Sequence, residues 1–164
     1  MDKTEYYEWV PAGLLVKGLF AMVIAIVTIV SFAVFLFSDK PLIENLSAIS
    51  FSWGTLAILL FIYWNYRGLR IQIKDNMLFL DYGLFNKKSF LLSEIVSCKK
   101  TKSFGRYLGI GVRYRLDRSM AYTTSFEDAV EITPKEGRIL VFSSKNPDKV
   151  CEIIGYQDQR TIIF

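Results

Sequence analysis

LFAMVIAIVTIVSFAVFLF, residues 19–37, is a run of nineteen residues without a charged side chain. A second uncharged run of the same length, LSAISFSWGTLAILLFIYW, follows at residues 46–64. An α-helix of this length is roughly 28 Å long, which matches the hydrocarbon thickness of a bilayer. The two runs therefore predict a pair of membrane-crossing helices.

The connecting segment SDKPLIEN is short, polar and rich in turn-forming residues, so the two helices should run antiparallel. We expect a transmembrane hairpin within residues 1–66, with spans at about 14–37 and 46–66 and an outer loop at 38–45. Lys40 is the one cation in this loop, whereas the flanking segments carry several. The positive-inside rule then predicts a multi-pass protein of the inner (cell) membrane with both termini in the cytoplasm.

Aromatic and basic side chains flank the two runs where the chain would cross the headgroup zone. The predicted interfacial anchors are Trp9, Trp64, Tyr66 and Arg67.

Small residues recur at helical spacing within both runs and would let two helix backbones approach closely. The predicted packing residues are Ala25, Thr28, Gly54 and Ala57. They either pack the hairpin against itself or pair with a second copy of the chain. Neither run has a charged residue at its centre, so we do not expect transport through this hairpin alone.

The residue inventory excludes several kinds of catalysis. The sequence contains no histidine, which removes Ser-His-Asp and Cys-His chemistry and the commonest transition-metal ligand. Its two cysteines, Cys98 and Cys151, are far apart and show no metal-ligand spacing, so two free thiols in a reducing compartment is the simpler interpretation. Acidic residues such as Glu94, Glu127 and Asp128 form no recognisable pair with a base. We therefore expect no catalytic residues, no metal and no cofactor.

Residues 67–155 predict a mainly β domain. LRIQI at residues 69–73 alternates apolar and polar residues, as a half-buried strand does. Further short strand patterns, separated by turn residues such as those of PKEG, bring the expected total to seven or eight antiparallel strands.

One α-helix closes the domain. Asn146 suits its N-cap and Pro147 its first position, and Gly155 suits its C-terminal end. Residues 156–164 are then a C-terminal tail.

The segments LLSEIVSC, GIGVRYR, MAYTTSFEDAVEI, GRILVFSS and NPDKV occur in this order along the domain. In this order, behind a helical hairpin, they resemble the bacterial PH-like (pleckstrin-homology-like) domain family, in the branch with an N-terminal pair of membrane helices. Relatives often carry Gly-Trp where this sequence has Ser119 and Met120. The resemblance implies a small β barrel or sandwich closed by the helix. It implies no catalytic set.

Residues 97–115, SCKKTKSFGRYLGIGVRYR, are rich in cations and glycines. The glycine spacing fits neither a Walker loop nor a Rossmann turn, and a period-two strand pattern follows it, which argues against a nucleotide-phosphate site. Residues 87–118 carry nine Lys or Arg and two acidic residues, a net charge of +7. The residues predicted to contact anionic lipid are Lys99, Lys100, Lys102 and Arg106. The other interpretation is a solvated basic face.

Two functions follow from these features. The first is a membrane-anchored, non-enzymatic binding module whose β domain contacts an anionic lipid surface or a protein partner. The alternative is a structural or assembly subunit that forms a homo-oligomer through the small-residue helix faces. The pI of about 9.0 raises the question of nucleic acid, but the membrane tether and the lack of a recognition motif argue against such a partner.

Overall fold

The computed structural model describes residues 4–37, 42–102, 111–114, 119–126 and 128–161. The helices are α1 (Leu14–Phe37), α2 (Leu42–Asn65) and α3 (Pro147–Thr161). The strands are β1 (Thr4–Pro11), β2 (Gly68–Lys74), β3 (Met77–Tyr82), β4 (Asn86–Leu91), β5 (Ile95–Lys102), β6 (Gly111–Tyr114), β7 (Ser119–Thr123), β8 (Asp128–Pro134) and β9 (Ile139–Ser143). A short 3₁₀ turn, Leu92–Glu94, joins β4 to β5.

The chain forms two compact units. One is the helical pair Leu14–Asn65. The other, which we call the β domain, combines the described residues before Leu14 with those after Asn65. Strand β1, which precedes the helical pair in the sequence, thus belongs to the β domain.

Within the helical pair, α1 is long and apolar enough to cross a membrane, and none of its side chains is buried. In α2 the corresponding apolar stretch is shorter, Ile49–Asn65. The helices contact each other through the Phe20 and Tyr63 rings, whose centroids lie 5.3 Å apart.

The β domain contains two sheets, with strand orders β1-β2-β3-β4 and β5-β8-β9-β7-β6. The expected alternation in β2 is confirmed, because Leu69, Ile71 and Ile73 are fully buried. Among the residues that the structure describes, every strand pair is antiparallel except one. β7 and β9 are parallel, with Met120 opposite Leu140, so the prediction of a wholly antiparallel domain is wrong at this pair.

Helix α3 packs on this core with Val150 and Ile154. It begins at Pro147, as its capping residues predict, and the Val150 N–H donates to the Asn146 carbonyl. It does not end at Gly155 but continues to Thr161. Much of the predicted C-terminal tail is therefore helical, and residues 162–164 lie outside the described part.

Candidate functional site

The two chain segments that lead into the helices are fixed side by side at one end of the four-stranded sheet. Pro11, the last residue of β1, is paired with Gly68, the first residue of β2. One step further, the Ala12 N–H donates to the Arg67 carbonyl at 2.8 Å. The Gly13 N–H donates to the carbonyl of Thr124, just beyond β7, also at 2.8 Å. We call this end of the β domain the root end.

Gly68 is required here by a close approach. A Cβ atom at position 68 would stand 2.5 Å from Cζ2 of Trp9 and 2.8 Å from the Val10 carbonyl oxygen. Only glycine lets the Trp9 ring lie flat against β2 at this point. Trp9, predicted as an interfacial anchor, is therefore a half-buried residue of β1.

The other predicted anchors have different environments. Trp64 and Arg67 are exposed. Tyr66 is half-buried and packs against the core, with its ring edge-on to Tyr82 at a centroid distance of 5.5 Å. Its hydroxyl also accepts a hydrogen bond from the Asn86 side chain at 3.4 Å. Tyr66 thus helps to hold the sheet together.

A buried carboxylate, which the sequence did not reveal, lies on β1. Glu8 Oε2 accepts hydrogen bonds from the Tyr6 hydroxyl at 2.9 Å and from the Ser144 hydroxyl at 2.8 Å. Glu8 Oε1 accepts from the Lys145 backbone N–H. Burial and then the hydrogen bond to Glu8 raise the pKa of Tyr6 to about 12. This network ties β1 to the segment that leads from β9 into α3.

The strand signal was present but incomplete. Tyr6, Glu8 and Val10 alternate inward on β1, so a period-two pattern exists. A glutamate at its central position argues against a buried strand, because carboxylates are rarely buried unless paired. Two of the three partners of Glu8, Ser144 and Lys145, lie 136 and 137 residues away in sequence.

The predicted lipid-contact residues are only partly free to bind. Lys99, Lys100 and Lys102 all lie exposed on β5, whereas Arg106 lies outside the described residues. The Lys100 ammonium donates to Asp148 of α3 at 2.8 Å and lies 3.9 Å from Asp128 of β8. The hydrogen bond and charge of Asp148 raise the pKa of Lys100. Lys100 therefore acts as a link between β5 and α3.

Lys99 and Lys102 differ from Lys100, because neither has an ion pair within the described residues. Lys102 also lies near the root end. Lys100 is level with Val130, Phe142 and Tyr122 across the five-stranded sheet. Lys102, two residues further along, is the last residue of β5 and lies in the same row across the sheet as Thr124. Three strand spacings, or roughly 14 Å, separate Lys102 from Thr124.

Cys98 of β5 and Cys151 of α3 form a disulfide, with their Cα atoms 5.4 Å apart. The interpretation as two free thiols is therefore wrong. The fold brings together two cysteines that lie 53 residues apart. With the Lys100–Asp148 pair, the disulfide fixes α3 to the edge strand β5.

The predicted helix-packing residues Ala25, Thr28, Gly54 and Ala57 are all exposed. A Cβ atom at Gly54 would have no neighbour within 4 Å, so this glycine makes no close contact with α1. Thr28 lines an apolar groove of about 420 Å³ between α1 and α2, together with residues such as Ser31 and Trp53. The Thr28 and Ser31 hydroxyls donate to carbonyls of their own helix, so their protons are already engaged and only their lone pairs remain for a ligand in the groove.

Within the described ranges, no group of three or more His, Cys, Asp or Glu side chains is placed to hold a metal ion. Glu94 is exposed, Asp128 pairs with Lys100, and Glu127 lies outside the described residues. No protein-family model, curated protein or solved structure matches the chain.

Proposed function

We propose that this protein is a membrane-anchored, non-enzymatic binding module whose helical pair crosses the bilayer twice and holds the β domain at the membrane surface. The observation that carries the proposal is the pairing of Pro11 with Gly68. If α1 crosses the membrane, α2 must bring the chain back, because Ala12, before α1, is hydrogen-bonded to Arg67, after α2. Each helix has 24 residues. At that length each would be roughly 36 Å long, and the apolar stretch Ile49–Asn65 of α2 by itself roughly 25 Å, close to the hydrocarbon thickness.

A PH-like relationship is part of this proposal. The described residues form nine strands in two sheets and a helix after the last strand, and this architecture supports the relationship. The parallel β7–β9 pair is a departure from the expected antiparallel order. The PH-like relationship is therefore an analogy of fold. The proposed binding role rests on the residues at the root end.

We place both termini in the cytoplasm, on the distribution of Lys and Arg around the two spans. The Cys98–Cys151 disulfide argues for the opposite side, because disulfides persist mainly in oxidising compartments. The side of the membrane on which the β domain lies is therefore tested separately from the proposal that the chain crosses the membrane twice. Alkylation of intact cells with a membrane-impermeant maleimide after mild reduction labels the two cysteines only if the β domain is outside.

The binding surface that we assign to this module includes Lys102, at the root end of β5, and Lys99, three residues further back on the opposite face of the strand. Both lie within about a Debye length of an anionic leaflet when the root end lies against the membrane. Each such cation contributes about 1 kcal/mol near an anionic surface. Lys100 contributes less, because Asp148 and Asp128 already offset its charge.

Amine acetylation of the full-length protein in nanodiscs tests this surface, with each lysine read out by mass spectrometry. Acetylation of Lys99 and Lys102 should slow about fivefold when phosphatidylglycerol is added to phosphatidylcholine discs. Lys135, in the β8–β9 turn at the other end of β8, is the internal control and should not change. Equal rates in both discs at Lys99 and Lys102 would show that β5 is only a solvated basic face.

The second candidate function is a structural or assembly subunit. Its support is the exposure of Ala25, Gly54 and Ala57 and the open space around the Gly18 and Gly54 backbones, which leaves these faces free for another helix. The mass of the protein in detergent tests it. A strict monomer at all concentrations would eliminate this role, and a dimer that Gly54→Leu dissociates would establish it.

A further inference from the structure

The turn between β3 and β4 exposes two large apolar side chains. It consists of Gly83, Leu84 and Phe85 and is closed by the pairing of Tyr82 with Asn86. Leu84 is 51% exposed and Phe85 is 74% exposed, which makes this turn unusual on a domain whose other large apolar residues mostly lie in the core. Gly83 takes a left-handed conformation, with φ of 75°, that sets the direction of the turn.

The register of the four-stranded sheet places this turn at the root end. Leu69 is opposite Tyr82, and the adjacent residue Gly68 is opposite Pro11. The turn therefore projects from the same end of the sheet as the two segments that lead into α1 and α2. It is two strand positions from β1 and one from β2, within roughly 10 Å of the point where the chain leaves the domain.

Tyr66, the first residue after α2, holds the base of the turn in place. Its ring packs edge-on against Tyr82, and its hydroxyl accepts a hydrogen bond from Asn86. These are the two residues that close the turn. The position of the turn within the β domain is thus fixed relative to Tyr66 by contacts with both residues that close it.

Positive charge follows the apolar tip directly. Lys87 and Lys88 are both exposed on β4, an edge strand of the sheet. Neither lysine forms an ion pair with another described residue, in contrast to Lys100. An apolar tip followed by cations is the composition of segments that bind at the membrane interface, where rings enter the acyl boundary and ammonium groups meet anionic headgroups.

We propose that the β3–β4 turn is a second membrane-contact element, which inserts Leu84 and Phe85 into the interfacial zone of an anionic leaflet and sets Lys87 and Lys88 against its headgroups. The turn reaches lipid in this way only if the helices cross the bilayer as proposed above. The domain is then held to the membrane at three points, which are the segment that leads into α1, the segment that follows α2, and the turn. Three such points fix the orientation of the domain on the surface.

The test uses the full-length protein in nanodiscs with the photoreactive amino acid benzoylphenylalanine at position 85. Illumination should yield lipid adducts at position 85 at least about fivefold above those at position 136, the matched control in the exposed β8–β9 turn. The yield of lipid adducts at position 85 should fall several-fold when phosphatidylglycerol is omitted from the nanodiscs. Lys87→Glu with Lys88→Glu should produce the same fall, and the charge-matched pair Lys135→Glu with Arg138→Glu should not.

Three results would overturn the inference. If position 85 gives no more lipid adduct than position 136 while the protein stays in the disc after an alkaline wash, the turn does not contact lipid, and the double crossing stands. If position 85 is crosslinked to a protein in native membranes and not to lipid, the turn is a protein-docking site. If the protein is washed from the disc, the membrane anchor itself fails.

Discussion

Gly68 and Trp9 lie in contact across the β1–β2 ladder, so close that a Cβ on residue 68 would stand 2.5 Å from the indole ring. The ladder is also the place where the chain leaves the β domain for α1 and returns from α2. Packing at this one pair therefore supports the sheet at the point where the chain enters and leaves the helical pair.

Gly68→Ala should destabilise the β domain by about 2–3 kcal/mol, because the Trp9 ring and the Val10 backbone must both move. The measurement is the midpoint of thermal unfolding in detergent, followed by near-ultraviolet circular dichroism. Gly155→Ala is the matched control. A Cβ at position 155 has no neighbour within 4 Å, and alanine favours a helix over glycine, so this variant should be unchanged or slightly stabilised.

Glu8→Ala should cost about 3 kcal/mol of folding stability, because it leaves the Tyr6 and Ser144 hydroxyls and the Lys145 N–H without their shared acceptor. Glu8→Gln keeps one acceptor oxygen and should cost about half as much. Urea unfolding gives both values. Glu136→Ala, in an exposed turn, should stay within about 0.5 kcal/mol of the parent. Equal stability of Glu8→Ala and Glu136→Ala would mean that β1 is not held by this carboxylate.

Reduction of the Cys98–Cys151 disulfide should lower the free energy of unfolding by about 4 kcal/mol, since the bond closes a loop of 53 residues in the unfolded chain. Unfolding midpoints with and without reductant measure the effect. The double variant Cys98→Ser with Cys151→Ser should have the lower unfolding midpoint of the reduced protein, and reductant should not change that midpoint. Two titratable thiols in the unreduced, denatured protein would contradict the disulfide.

The β domain should lose stability in alkaline solution. Burial is the main reason why the pKa values of Tyr6, Tyr82 and Tyr122 are raised from the ordinary value of 10.0 to about 12. Above pH 10 the unfolded chain releases these protons while the folded chain keeps them. The stabilisation is therefore complete below pH 10 and is lost as pH rises to about 12, at up to roughly 1.4 kcal/mol per pH unit for each tyrosine.

Urea unfolding at about pH 9, 10 and 11 measures this slope, and phenolate absorbance follows ionisation directly. Tyr82→Phe keeps the ring and removes one titrating group. It should lower stability slightly at neutral pH, because the hydrogen bond to the Thr123 carbonyl is lost, and should reduce the alkaline slope by about a third. An unchanged slope would rule out Tyr82 as one of the groups responsible.

Local patterns predicted the parts of the fold that depend on nearby residues. The apolar run of α1, the alternation of Leu69, Ile71 and Ile73, and the Asn146–Pro147 start of α3 all hold in the structure. In each case the signal lies within one element, so periodicity or capping chemistry is sufficient to find it.

The features that were missed depend on pairing between distant segments. β1 pairs with β2, which follows the helical pair in the sequence, and two of the three hydrogen bonds to its inward glutamate come from residues beyond β9. The disulfide and the parallel β7–β9 pair also join segments that no local pattern connects. In the candidate site, sequence identified the cations of β5 but not the acidic partners of Lys100, which come from β8 and α3.

The central claim is that α1 and α2 cross the membrane as a pair and leave the β domain at the surface, joined through Pro11 and Gly68. The most direct test places a dual alkaline phosphatase–fluorescent protein reporter either between the two helices or at the C-terminus of the full chain, with retention in alkali-washed membranes as the check on insertion. We predict that the two reporters lie on opposite sides of the membrane. Reporters on the same side, or release of the intact chain by the alkaline wash, would contradict the account.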